Sequence, residues 1–437
     1  MAETRVHARP RLLLLASKLG YQTHSFVEAA KRLGVDVTIG SDRCHRLEDP
    51  WADGAIPLHF DEPEQSAERL AAAVRTTPVR AILALGDRQT ATAAYAARIL
   101  GLRSSSPESV NNCRSKLRQR ELLRDAGLPV PEFFSFPLKQ PLEAVLPRVS
   151  FPSVVKPLRL SASQGVIRAN DASEFAVAVE RIKRLLDSPE VQTTREPELD
   201  RLLVERYVPG AEVALEGLLE QGRLRTLALF DKPDPLEGPY FEESIYVTPS
   251  RLPAEMQTRI FECAAHTVRA LGLSEGPLHA EFRVNDAGPW VLEAAPRPIG
   301  GLCSRALRFG PDRIPLEELL VRHVMGLAGG EMAREPHAAG VMMIPVPRSG
   351  VFESAEGVER SATTPGVDEV LITARSHDFI AAWPEGSTYL GFIFAHGETP
   401  AQVEAALRGA FSVLRFTITP RLPVRHPVSG QTTPTGS

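Results

Sequence analysis

Two carboxylates in HAEFRVNDAGPWVLEAAPRPIGG, residues 279–301, are the first candidates for chemistry. NDAG, residues 285–288, is a turn signal between two runs of strand-like composition, which predicts a β-hairpin centred near Ala287. In that register Glu281 and Glu293 are equidistant from the turn and face each other. Alternation sets His279, Glu281 and Arg283 on one face of the first strand, with Val291 and Glu293 on the matching face of the second. Like charges directly opposite one another destabilise a ladder, because their Cβ atoms stand only about 5 Å apart. A hard divalent cation is the economical remedy, since Mg2+ is held by one or two carboxylates together with substrate phosphates. Two plainer readings stand beside it: a register slipped by one, with one Glu solvated, or Arg283 screening both acids. Taken alone, the hairpin leans towards the plainer readings.

Lysines and small-residue loops are the next candidates. In FPSVVKPLRLSASQGVIRA, residues 151–169, two extended runs flank a Ser/Gly loop, and Lys156 shares a face with Val154. A loop such as SASQG lets backbone N–H groups and hydroxyls approach phosphates, although no G-K-[ST] follows and most such loops are simple turns. Cys303 near the hairpin has no His base at motif spacing and reads as a small packing residue.

The elements that must position these groups follow from the pattern. LLLLA (12–16), the helix THSFVEAAKRLG ending at Gly34, and VDVTIG read as strand, helix, strand; AILALGDRQTATAAYAARILG (81–101) repeats the unit. Residues 1–105 therefore form a parallel α/β domain. It lacks G-x-G-x-x-G after its first strand, which sets aside a nicotinamide dehydrogenase. Ser106-Pro107 starts a helix that breaks near Ser115 and stops at Gly127 before LPVP. Residues 202–233 read as strands joined by Pro-Gly and Gln-Gly turns and ending in Asp231-Lys232; a long helix, PAEMQTRIFECAAHTVRALG, then leads to Gly272 and the hairpin.

At 437 residues the chain is long enough for about two to four domains. Its formal charge of −4 leaves no footprint for nucleic acid or an anionic membrane. Cys44, Cys113, Cys263 and Cys303 are scattered singly, which argues against a disulfide framework or zinc site and for a cytoplasmic, reducing compartment. The apolar run at the N-terminus is too short to span a bilayer.

Taken in order, these segments resemble the ATP-grasp superfamily, and within it the carboxylate–amine ligases, particularly bacterial L-amino-acid (dipeptide) ligases. SKLRQRELLRDAGLPVP is similar to the helix that carries a nucleotide-contacting lysine, here Lys116, and VVKP to the second lysine strand, giving Lys156. SASQGV resembles the mobile phosphate-covering loop, with Ser163, Gln164 and Gly165. VERYVPGAEV is similar to the hinge, where Glu205, Tyr207 and Val208 would meet adenine and Glu212 the ribose hydroxyls. HAEF and VLEAAPR resemble the magnesium strand pair, giving Glu281, Glu293 and Arg297. The motifs stand in family order across residues 115–297. One departure is Ala295, where many members carry a metal-binding Asn; similar amino-acid ligases often have a small residue there, and a water or substrate oxygen can complete a Mg2+ shell.

The fold implied is α/β and α+β: the N-terminal parallel (pre-ATP-grasp) domain, a two-lobed ATP-grasp core over 106–330, and a small C-terminal α/β subdomain over 331–420. The lid lobe would cover about 130–205 and the hinge 205–212. AGGEMAREP reads as a linker; EVLITA, FIAAW and YLGFIFA read as strands and PAQVEAALRGAFSVL as a helix. The Pro/Ser/Thr/Gly-rich residues 421–437 carry no apolar pattern and predict a disordered tail.

The activity implied is ATP-dependent joining of a small-molecule carboxylate and an amine, both amino acids, through an acyl phosphate, with ATP and Mg2+ (or Mn2+) bound and a homodimer expected. Lys116 and Lys156 would neutralise phosphate oxygens, Arg297 developing charge, and Lys232 a further phosphate. Gly300 lets backbone approach the acyl group, and Arg305 would clamp a carboxylate, or else pair with Glu242 or Glu243. His279 would orient Glu281 or serve as an ordinary hydrogen bonder. Two other readings remain at this stage: a carboxylase-type enzyme activating bicarbonate or formate, and a non-catalytic nucleotide-binding module, for which only Ala295 speaks.

Overall fold

The computed structural model describes residues 9–17, 21–42, 55–327 and 332–420. The expected tail at 421–437, Cys44 and part of the expected linker lie outside these residues. Strand Arg11–Leu15 forms because its apolar run finds cover on both sides. Leu12 and Leu14 join a cluster with Phe26, Ala29 and Ala30 of helix Tyr21–Arg32, while Leu13 and Leu15 join Phe60, Leu70 and Ala96 on the opposite face. Cover on both faces is the condition for a parallel sheet. Its order is Ala55–Pro57, Asp36–Ser41, Arg11–Leu15, Ala81–Ala84. Helix Asp87–Leu100 starts at the C-terminal edge of this sheet, where open α/β sheets bind ligands, and stops at Gly101 with φ 66°.

The connecting helices are built as their signals predict. The Ser106 hydroxyl accepts from Ser109 N–H at 3.1 Å and caps Pro107–Arg114. The chain turns extended at Ser115 and restarts as helix Lys116–Asp125, so that Lys116 stands at a helix N-terminus. Beyond it lies a four-stranded antiparallel sheet, Phe133–Pro137, Arg201–Arg206, Ser153–Pro157, Ile167–Ala169, packed on the amphipathic helix Ala172–Leu186 through Phe136, Val155, Phe175, Ile182 and Val204. This lobe occupies the stretch expected to form the lid.

The core sheet is larger than the hairpin signals suggest. Eight strands run in the order Gly288–Ala295, Gly276–Asn285, Ala211–Glu220, Arg223–Lys232, Ile245–Thr248, Ala338–Ile344, Gly391–Gly397, Val367–Ile372. The C-terminal strands therefore continue the core sheet: Ile245–Thr248 pairs antiparallel with Ala338–Ile344. A separate three-stranded sheet, Phe379–Ile380, Gly350–Glu356 and Arg415–Thr419, stands beside it, and helix Pro400–Ser412 covers the extension through Val403, Leu407 and Ala410. Among the described residues no helix is long and apolar enough to cross a membrane.

The opening hairpin pairs Glu281 with Glu293, but by a different route from simple symmetry about Ala287. The turn is Asp286-Ala287, with Asn285 opposite Gly288 and Phe282 opposite Val291. A bulge between Glu281 and Phe282, with Leu292 the extra residue, then restores the facing carboxylates. One expectation is corrected as a result. Val291 does not share the Glu293 face; it lies with Phe282 in the apolar core, and Trp290 takes the place opposite Arg283.

Candidate active site

A cavity of about 1170 Å³ lies where the N-terminal sheet, the lid and the core sheet meet. Lys116 reaches it from its helix start. Its Nζ donates to Leu160 O at 2.6 Å and stands 3.3 Å from Glu293 Oε2. Lys156 reaches it from the lid strand, one residue from the core-facing Val155, with its Nζ 2.7 Å from Glu205 Oε2. Burial pulls the Lys156 ammonium below its usual range although Glu205 offsets part of the effect. Glu205 also accepts from Arg120 Nε at 2.7 Å, and Arg120 donates to Leu292 O at the bulge. One buried carboxylate thus ties the lid strand to the core helix and to the Gly276–Ala295 hairpin.

Tyr207, Val208 and Glu212 line the same cavity. The Tyr207 hydroxyl accepts from Arg283 Nη1 at 3.2 Å, and Arg283 Nε donates to Glu212 at 3.0 Å. Arg283 is therefore occupied with the hinge and does not screen Glu281 and Glu293, which removes one of the plainer readings of the hairpin.

Glu281 belongs to a charged cluster. Carboxylate oxygens of Glu212, Glu243 and Glu281 lie within 4.8 Å of one another. Lys232 Nζ binds all three, at 2.7 Å from Glu212, 3.2 Å from Glu281 and in a short contact with Glu243. Burial raises the Glu243 carboxyl to about 7; Lys232 opposes this, while Glu281 and Glu212 add to it. Burial likewise works against a charged His279, yet Glu216 and Glu281 raise its imidazole to about 9. His279 bridges Glu216, through Nδ1, to Glu281, through Nε2 at 3.2 Å, and Glu216 Oε2 accepts from Ile299 N–H at 3.1 Å. Ala295 is the ladder partner of His279.

Arg297 lines the cavity, and its Nε donates to Asp87 Oδ1 at 2.8 Å. Burial alone would lower the guanidinium; Asp87 outweighs it and raises it. Gly300 and Ser163 also line the cavity, whereas Gln164, Gly165, Lys232 and Arg305 do not. The reasons are physical. Lys232, with 2 % of its side chain exposed, is consumed behind the carboxylate wall and is not a free phosphate contact. Arg305 pairs with Glu369 at 2.8 Å and lies over the Phe394 ring at 5.0 Å, so neither a cavity clamp nor pairing with Glu242 or Glu243 is found. Gln164 and Gly165 turn away to bond residues 384 and 385.

Three groups escaped the sequence reading. Asp87 carried a legible signal, an acid directly after a parallel strand in ALGD. Glu243 in FEES and Glu216 in ALEG carried none, because only the fold brings them beside Glu281.

The comparisons agree with this geometry. An ATP-grasp domain model matches residues 149–306, an ATP-grasp N-terminal domain model residues 27–103, and an L-amino acid ligase C-terminal domain 2 model residues 342–419. The chain belongs to the ATP-grasp superfamily. Within it, the crystal structure of an L-amino acid ligase from Bacillus licheniformis superposes on this ATP-grasp chain with a TM-score of 0.77 and 26% identity, covering 94% of this chain and 99% of that one. An uncharacterised protein of Sinorhizobium fredii is 27% identical over 431 residues, 94% of this chain and 84% of that protein. The alanine–anticapsin ligase of Bacillus subtilis is 24% identical over 299 residues, 64% of this chain and 62% of that protein.

Proposed function

We propose that this ATP-grasp protein is an ATP-dependent carboxylate–amine ligase that joins two amino acids through an acyl phosphate. The observation that carries the reading is the convergence of Lys116, Lys156, the facing Glu281 and Glu293, and the Asp87-braced Arg297 on one cavity. A carboxylate is a poor electrophile, and transfer of the ATP γ-phosphoryl group to it supplies a leaving group that an amine can displace. Such a transfer depends on positioning and charge neutralisation.

In this arrangement Lys116 and Lys156 exchange their contacts with Glu293 and Glu205 for phosphate oxygens. Glu281 and Glu293, with Glu243 beside Glu281, are the residues that would hold Mg2+ or Mn2+. The donor set fits a hard cation, because it is all oxygen and the carboxylates of Glu212, Glu243 and Glu281 gather within 4.8 Å of one another. Bound metal would neutralise phosphate charge during transfer. Arg297 lies on the substrate side and donates to the developing carboxyl-phosphate oxygens, with Asp87 fixing its orientation. Glu216 holds the Ile299 N–H, which sets the path of the Pro298–Gly301 backbone beside the acyl group. Tyr207 and Val208 face the adenine and Glu212 the ribose.

A matrix of amino-acid pairs, read by ADP release and by mass spectrometry of the product, tests this. ADP and amide formed in equal amounts support it; ADP formation that needs bicarbonate and no amino acid overturns it in favour of carboxylase-type chemistry.

A further inference from the structure

The loop over the phosphate end of the cavity is held by a part of the chain far away in sequence. Trp383 Nε1 donates to Ala162 O at 3.1 Å, Gly165 N–H donates to Pro384 O at 2.9 Å, and Gln164 Nε2 donates to Glu385 O at 2.7 Å. The Glu385 carboxylate then clasps Arg181 on the lid helix, with Nη2 to Oε2 at 2.8 Å and a second short contact from Nε. These bonds cross from the lid lobe to the segment between the last two pairs of C-terminal strands. That segment is itself anchored, since Ala382 N–H donates to Ser349 Oγ at 2.9 Å and the Trp383 ring lies 4.9 Å from the Tyr389 ring.

The contact meets a turn of demanding backbone geometry. Ala162 and Ser163 both sit in the left-handed region, with φ 55° and 54°, although neither is glycine. Such residues are strained and persist where surrounding contacts over-determine them. The turn closes on its own bonds, Gln164 N–H to Ser161 O at 3.2 Å and Val166 N–H to Ser163 O at 3.1 Å, and is held from outside by residues 383–385. Gly165, with φ 71°, completes the turn, and a Cβ there would meet Pro157 at 2.9 Å. The same C-terminal segment also reaches the cavity, which Ile380, Ser387 and Tyr389 line together with Ser161, Ala162 and Ser163.

We infer that Trp383 and Glu385 are positioning residues that latch the phosphate-covering loop over the cavity and thereby exclude water from the activated carboxylate until the amine attacks. The inference rests on the proposed ligase reading. An acyl phosphate has two fates: the amine attacks the acyl carbon, forming the C–N bond as phosphate leaves, or water attacks the same carbon and returns carboxylate and phosphate. The second consumes ATP without product. A loosened latch therefore shows as ADP formed in excess of amide.

Trp383→Phe removes the indole N–H and retains an aromatic ring beside Tyr389, and Glu385→Gln breaks the clasp at a surface position where misfolding is not expected. In the full-length protein both variants should raise the ratio of ADP to amide from one to two or more, with ADP turnover within about threefold of wild type. Hydrogen exchange supplies a readout independent of activity: the Gly165 amide, bonded to Pro384 O, should exchange at least tenfold faster in both variants. Unchanged exchange at 161–166 overturns the latch. Faster exchange with an ADP-to-amide ratio still at one overturns its water-excluding role. If the wild-type protein makes no amide, the ligase reading and the water-excluding role fall together, and the exchange data still decide the latch.

Discussion

Glu205→Gln tests the most heavily tied residue of the hinge. The carboxylate is buried, 2.7 Å from both Arg120 Nε and Lys156 Nζ, and Gln keeps its shape while removing its charge. Burial alone would raise the Glu205 carboxyl, but Arg120 and Lys156 hold it at about 2 against an ordinary 4.5. At about 1.36 kcal/mol per pH unit this difference stabilises the folded chain by about 3 kcal/mol, at the lower end of the roughly 3–5 kcal/mol lost when a buried pair is broken. Because the folded value lies below the unfolded one, the contribution is complete above pH 4.5 and is lost as pH falls through about 2. Urea unfolding of wild type and variant should differ by about 3 kcal/mol at pH 7 and at pH 6, and by about 1–2 kcal/mol at pH 3. A difference below about 1 kcal/mol at pH 7, or one that does not shrink in acid, refutes the reasoning.

Asp87→Asn should lower kcat about tenfold with little change in KM for ATP, since it releases the Arg297 guanidinium without touching the hinge; equal kcat would remove Asp87 from the account. Metal affinity, measured by Mn2+ electron paramagnetic resonance, should fall as pH drops below about 7, because the Glu243 carboxyl takes up a proton there and protons compete with the metal. Glu243→Gln should flatten that dependence; an unchanged pH profile would exclude Glu243 as a ligand. Arg305→Ala should change kcat/KM less than about twofold and stability by less than about 1 kcal/mol, because its pairing with Glu369 is a partly exposed surface pair. A hundredfold loss would restore the carboxylate clamp.

Much of this architecture was legible because its signals are local. Ser106, Ser115 and Gly101 mark helix ends through their own backbone and hydroxyl groups, and the alternation of Leu12 to Leu15 between two apolar faces follows from strand geometry. The facing of Glu281 and Glu293 was also readable, although the bulge at Leu292 that produces it was not, and Val291 was assigned to the wrong face for that reason. Side-chain roles that depend on what the fold brings together were the least readable. A lysine at the end of a strand looks the same whether it meets phosphate, as proposed for Lys156, or neutralises a carboxylate wall, as Lys232 does. Arg305 failed as a clamp because its partner Glu369 comes from a strand that joins the core sheet only through long-range pairing.

The central claim is a carboxylate activated by phosphoryl transfer. Its most direct measurement uses an acid substrate labelled with 18O in the carboxylate, in wild-type protein with ATP, Mg2+ and an amine, followed by mass spectrometry of the inorganic phosphate. The account predicts ADP as the nucleotide product and one 18O atom carried into each phosphate for each amide formed. Unlabelled phosphate, or label appearing in AMP, would contradict it.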